Sequence, residues 1–191
     1  MTRCEWAQAN DLLIADHDQH WGIPIHDDGL LFQQLILEGA QAGLSWLVIL
    51  QKKAAYKAAF DDFNPHVIAE YDEGKIQLLM NNPSIVRNKL KIQSVVTNAQ
   101  AYLHLRQQYG SFSDYCWSFV KGKTIINHWC TAEQVPSRSA QSEAMSKGLK
   151  SYGFKFVGAT TCYAFMQAVG MVNDHLVSCF RHEQCSSLAA Q

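Results

Sequence analysis

The chain lacks a charge of one dominant sign, has few prolines, carries no C-x-x-C pair and contains no long uninterrupted apolar run. Its formal net charge is −1 with all eight histidines neutral. Nothing therefore draws the whole molecule to a polyanion, and nucleic-acid contact requires a local patch. Six cysteines (Cys4, Cys116, Cys130, Cys162, Cys179, Cys185) without a C-x-x-C pair read by default as buried thiols, with metal ligation as the minority case. The opening "MTRCEWAQAND" has no apolar h-region, so no signal peptide is expected. The most apolar stretch, "LLFQQLILEGAQAGLSWLVIL" from Leu30 to Leu50, is interrupted by two glutamines, Glu38 and "GAQAG". That pattern argues against a membrane span, and a cytoplasmic protein is expected. A composition of 48% apolar and 17% charged residues is that of a folded globular chain. With no repeat or low-complexity segment, residues 1–191 are expected to form one domain, or two closely packed lobes of it.

Period-two runs are mostly absent too. The recurrent 3.6-type spacing predicts an all-α fold. Leu30 to about Gln41 reads as one helix, and Ser45 as the N-cap of a second running toward Phe60. Asn64-Pro65 supplies a cap and a first-turn proline, and Asp72 starts another helix through Leu78, Leu79 and Met80. A turn at Asn81-Asn82-Pro83 should lead into a long helix stopped near Gly110. Further helices are expected over Ser113–Val120, Ser139–Tyr152 and Thr160–Val169, with Thr124 to Ile126 pairing briefly as a strand.

Three groups of residues could carry chemistry. His175 and Cys179 are four apart, a spacing that shares one face of a helix, while Cys4 and His17 sit at the other end of the chain. Together they would make a closed Cys2His2 zinc site, against the plainer reading of a buried cysteine and unrelated neighbours. His182 and Cys185 form a competing pair. Cys116 and Cys162 read as core packing. The turn before the long helix, followed by Arg87, Lys89 and Lys91, offers backbone donors for a phosphate, or is an ordinary hairpin with a solvated basic face. Glu38, finally, falls on the seam of its helix, where pattern alone predicts a solvated carboxylate. With Trp46 it would instead suit a flat ligand, the ring stacking and the carboxylate accepting exocyclic N–H bonds. In one unbroken helix the two are about 12 Å apart along the axis. The functional reading therefore needs the break before Ser45.

In combination, "RCEWA", "HDQHWG", "LEGAQAGLSW", "FDDFNP", "IVRNKLKI", "WSFV", "SKGLKSYGFKFVGATTCYAFMQAVG" and "GMVNDHLVSC" resemble the 3-methyladenine DNA glycosylase I family of the helix-hairpin-helix superfamily. The resemblance covers most of the chain. It implies two helical lobes with a DNA-facing cleft between them, and a structural zinc held by Cys4, His17, His175 and Cys179 that joins the termini. It implies a base pocket with Glu38 reading the base, Trp46 stacking on it, and Trp6, Trp21, Leu13 and Asp16 around it. It places the hairpin contact with DNA on Asn82, Ile85, Arg87, Lys89 and Lys91. The implied activity is hydrolysis of the N-glycosidic bond of 3-methyladenine in double-stranded alkylated DNA by a monomer; a damage-binding protein that does not excise is the alternative. One departure stands out. The family pattern D-P-x-Y-x-x-Y-H-D reads "DLLIADHD" here, so Leu13 and Asp16 replace two pocket tyrosines. Asp16 is expected to turn away toward the metal site, leaving the pocket more open.

Overall fold

The computed structural model describes residues 1–190. Its helices are α1 (Asp11–Gln19), α2 (Asp28–Gln41), α3 (Trp46–Ala59), α4 (Pro65–Ile68), α5 (Glu73–Asn81), α6 (Lys89–Tyr109), α7 (Phe112–Ser118), α8 (Ala140–Ser151), α9 (Ala159–Ala168) and α10 (Phe180–Leu188). Side-chain oxygens start most of them by accepting an otherwise unpaired backbone N–H. Asp27 takes Leu30 N–H, Ser45 takes Val48 N–H, Asp72 takes Lys75 N–H and Asn88 takes Lys91 N–H. A two-residue parallel pair, β1 (Ile125–Ile126) with β2 (Val172–Asn173), is the only sheet among the described residues.

Helix α2 organises the molecule. It packs on α3, α6, α7 and α9, and Leu31, Phe32, Leu35, Ile36, Leu37, Glu38, Gly39 and Ala40 are all buried along it. A helix enclosed on most sides must be apolar nearly all round, which explains its long hydrophobic run without a membrane. At the far end of α2 the chain turns through Gly43, whose φ of 77° suits glycine, and re-enters helix after Ser45.

The N-terminal arm is pinned to the C-terminal part of the chain. Ile25 N–H donates to Val169 O, and Phe180 N–H donates to Thr2 O. Gly170 combines a φ of 72° with a Cβ direction that would drive a side chain into the backbone of Ile23 and Pro24. Only glycine lets these segments meet.

The expected helices are present, with boundary shifts. Helix α6 begins at Lys89 under an Asn88 cap, so the hairpin after α5 is longer than the turn expected at Pro83. Helices α1 and α10 were not anticipated. His175 and Cys179 do not share a helix; they lie in the turn leading into α10, with Cys179 as its N-cap residue. The brief strand at Ile125–Ile126 forms, and Cys116 and Cys162 are buried in the core.

Candidate functional site

Glu38 lies in the last turn of α2 with only 5% of its surface exposed. The seam position on the isolated helix is misleading, because tertiary packing closes over it. Among the described residues its carboxylate has one hydrogen bond, donated by Gln34 Nε2 to Oε1 at 2.8 Å. Burial pushes the carboxyl up to about 8, the Gln34 bond opposes the shift, and the Asp16 charge adds to it. A buried acid with one donor is poorly satisfied, and it faces a cavity of about 420 Å³. Such a pairing of enclosed space with an under-bonded polar group marks a ligand site.

The break before Ser45 brings Trp46 round to the same cavity, which Trp6, Trp21 and Gln41 also line. The Trp6 and Trp21 rings meet edge to face at 5.2 Å, and Trp21 meets His175 in the same way at 4.5 Å. The wall is aromatic on several sides, suited to a flat and electron-poor ring. Leu13 is buried but does not line this cavity. Asp16 corrects the expectation made for it. Rather than turning to the metal site, its Oδ2 accepts a 2.8 Å hydrogen bond from Trp46 Nε1.

On the far side of the tryptophans, Cys4, His17, His175 and Cys179 are all buried, and their donor atoms lie within 4.8 Å of one another. Cys179 Sγ is 3.5 Å from His17 Nε2 and 3.7 Å from His175 Nδ1, while Cys4 Sγ is 3.8 Å from His175 Nδ1. A tetrahedral zinc ion with ordinary Zn–S and Zn–N bonds has sulfur–nitrogen edges of about 3.6 Å. These three sulfur–nitrogen distances stand close to that spacing. Each imidazole is also held through its other nitrogen: His17 Nδ1 by Asp18 Oδ1 at 2.8 Å and His175 Nε2 by Trp21 O at 3.2 Å. This is how metal-binding histidines are oriented. Asp18 is in turn gripped by Arg3 at 2.8 Å, which holds its carboxyl below the usual range. The competing pair separates: His182 Nε2 meets Asn127 O at 2.8 Å, and Cys185 is buried outside the cluster.

The hairpin residues divide. Arg87 and Lys89 are exposed, and Lys89 shares only a 3.4 Å surface ion pair with Glu73. Asn82 is occupied locally, accepting Ser84 N–H at 2.9 Å. Ile85 is placed differently from expectation: at 2% exposure its side chain belongs to the core. Lys91 too is redirected, its Nζ donating to Ala40 O at 2.8 Å and Ala42 O at 2.6 Å. It caps the carbonyl end of α2.

Sequence reasoning missed several participants. Among the described residues Gln34 supplies the only hydrogen bond to the Glu38 carboxylate, a spacing of four that could have been noticed. Asp174 reaches the cavity wall and accepts from Asn127 Nδ2 at 2.7 Å, Trp129 Nε1 at 2.8 Å, Tyr163 Oη at 2.6 Å and Gln167 Nε2 at 2.8 Å. Its signal was a charged residue between the apolar pairs Met171-Val172 and Leu176-Val177. Leu44 stands 39% exposed in the loop between Glu38 and Trp46.

Comparison with known proteins agrees with this geometry. Residues 6–182 match the family model described as methyladenine glycosylase. The chain is 44% identical over 179 residues to DNA-3-methyladenine glycosylase 1 of Escherichia coli strain K12, covering 94% of this chain and 96% of that one. A crystal structure of 3-methyladenine DNA glycosylase I is similar with a TM-score of 0.92 at 45% identity, covering 94% of this chain and 98% of the other. A variant of such an enzyme, solved in complex with 3-methyladenine, has a TM-score of 0.91 at 40% identity, covering 94% and 97%. The family match, the identity and the shared fold agree, and the chain belongs to the methyladenine glycosylase family.

Proposed function

We propose that the chain acts as a single glycosylase domain that hydrolyses the N-glycosidic bond of 3-methyladenine in double-stranded alkylated DNA and leaves an abasic site. The observation that carries this reading is Glu38: a buried carboxylate with one protein donor, facing an aromatic-walled cavity beside Trp46. Methylation at N3 leaves the nucleobase cationic within DNA. Aromatic faces and a carboxylate both favour that cation over an ordinary neutral base.

The reaction asks little acid catalysis of the protein. When the C1′–N9 bond breaks, its electron pair passes to the purine and neutralises the positive charge, so the base leaves already activated. Water then adds to the electron-poor sugar carbon and loses a proton. Glu38 reads the N–H edge of the base, and its negative charge stabilises the charge developing on the sugar. The nucleotide must first leave the stack. Exposed Leu44, on the loop joining the two site helices, suits a wedge that fills the gap. Arg87, Lys89 and the backbone donors of the hairpin suit phosphate contact. A net charge near zero limits binding to undamaged DNA.

Cys4, His17, His175 and Cys179 fit one zinc ion per chain by donor type and spacing. With four protein ligands the role is structural: it would staple the N-terminal arm, which carries Trp6, to the turn before α10. Among the described residues no helix is long and apolar enough to cross a membrane. Action as a cytoplasmic monomer is part of the proposal. The decisive experiment is chromatographic identification of free 3-methyladenine released from methylated DNA. Binding of damage without release would favour the non-excising alternative.

A further inference from the structure

Asp16 stands where the family pattern has a tyrosine, and it is only 7% exposed. It is not idle there. Its backbone carbonyl accepts Trp21 N–H at 2.9 Å, and its Oδ2 accepts the Trp46 indole N–H at 2.8 Å. One residue thus fastens two of the tryptophans that line the cavity. Helix α1 can offer this grip because it packs on α3 and because His17, next along it, lies in the four-donor cluster.

The bond to Trp46 has an electronic side. An indole N–H points outward in the plane of the ring, so an anionic acceptor on it pushes electron density into the π system. Trp46 lines the cavity, and a cation on its ring face gains from that density, with little change for a neutral ring. A neutral phenol at this position could not supply a full negative charge. We propose that Asp16 is a specificity-determining positioning residue: by holding the Trp46 N–H it fixes the ring and biases the cavity toward cationic purines. The inference rests on the glycosylase reading above and adds to it a residue acting through another. The Asp16 charge is also felt inside the cavity, since it contributes to the raised proton affinity of Glu38.

The test uses two probes that differ in charge. One is 3,9-dimethyladeninium, a permanent cation in which the N9 methyl stands for the sugar carbon. The other is neutral 3-methyladenine. Asp16→Asn keeps an acceptor oxygen but removes the charge; Asp16→Leu removes both. Asp16→Asn should weaken the cation by about tenfold while changing the neutral base by about twofold or less. Asp16→Leu should weaken both and move the Trp46 indole proton resonance upfield. In a Trp46→Phe background the Asp16→Asn change should no longer alter the cation-to-neutral ratio. An unchanged ratio in Asp16→Asn overturns the proposal. So does a wild-type Trp46 indole proton that exchanges freely with solvent, a result obtainable whether or not any variant folds. Wild-type protein that releases no 3-methyladenine from alkylated DNA defeats the glycosylase reading and this inference with it. Release with an unmoved ratio defeats the inference alone.

Discussion

The four-donor cluster and the base cavity share a wall, yet they treat buried polar groups in opposite ways. In the cluster every histidine nitrogen has a partner, and Asp18 and Arg3 support it from outside. Asp174, beside it, accepts four side-chain donors. In the cavity Glu38 has Gln34 alone, and it is buried beside another carboxylate. A satisfied network holds shape; an under-satisfied one stores binding capacity at the expense of stability. The first region holds Trp6 and Trp21 in place, and in the proposed function the second does the recognition.

The largest expected effect comes from dismantling the satisfied region. Cys179→Ser should lower stability by on the order of 4 kcal/mol or more, as breaking a closed metal site does. Metal analysis of chelator-free protein should return one zinc per wild-type chain and a deficit in the variant, and thermal melting should follow it. Zinc-free wild-type protein with unchanged melting would remove the contrast.

Glu38→Gln breaks the other region, with opposite consequences for activity and stability. Excision should fall by about 100-fold or more, as for loss of a charge-stabilising group. Stability should rise, and the sign follows from linkage. The folded carboxyl titrates near 8 against an ordinary value of 4.5, so the folded state holds a proton that the unfolded state has lost. Stability therefore declines as pH climbs between those values, by an upper bound on the order of 5 kcal/mol. Glu38→Gln should melt higher than wild type at pH 8 and show no advantage at pH 4.5. Equal melting at both pH values would mean that Glu38 is better solvated than its burial indicates.

Trp46→Ala removes stacking worth about 1–3 kcal/mol and should weaken 3-methyladenine by roughly tenfold to a hundredfold, measured by titration. The smallest effects separate the basic side chains at the hairpin. Arg87→Ala should reduce the salt slope of DNA binding by about one. Lys91→Met should leave that slope unchanged, because Lys91 is spent on Ala40 O and Ala42 O. It should instead slow excision, by loosening the loop that carries Leu44. A reduced slope in Lys91→Met would return that residue to the phosphate contacts.

Much of this was legible in the chain. Ser45 announced the break that lets Glu38 and Trp46 share a cavity, and Asp72 and Ser139 cap helices where the sequence started them, whereas the Asn88 cap moved the start of α6 past the expected turn. Helix α1 escaped because its buried face is Leu13, Asp16 and His17, mostly polar residues whose burial depends on partners far along the chain. The burial of Glu38 escaped for a related reason: a helical wheel sees one helix, whereas α2 is enclosed by several. The four-residue spacing of His175 and Cys179 suggested a helix, but a turn brings such residues together as well. Lys91 looked like part of a basic face until the free carbonyls at the end of α2 were placed beside it.

The most direct test of the central claim is the pH profile of single-turnover 3-methyladenine release, compared between wild type and Glu38→Gln. The account predicts that wild-type kcat/KM rises with pH as Glu38 loses its proton, with an inflection near 8. A bound cation should lower the inflection for the chemical step, and Glu38→Gln should be slow and lack the inflection. A folded Glu38→Gln protein that releases the base as fast as wild type, with the same profile, would contradict it.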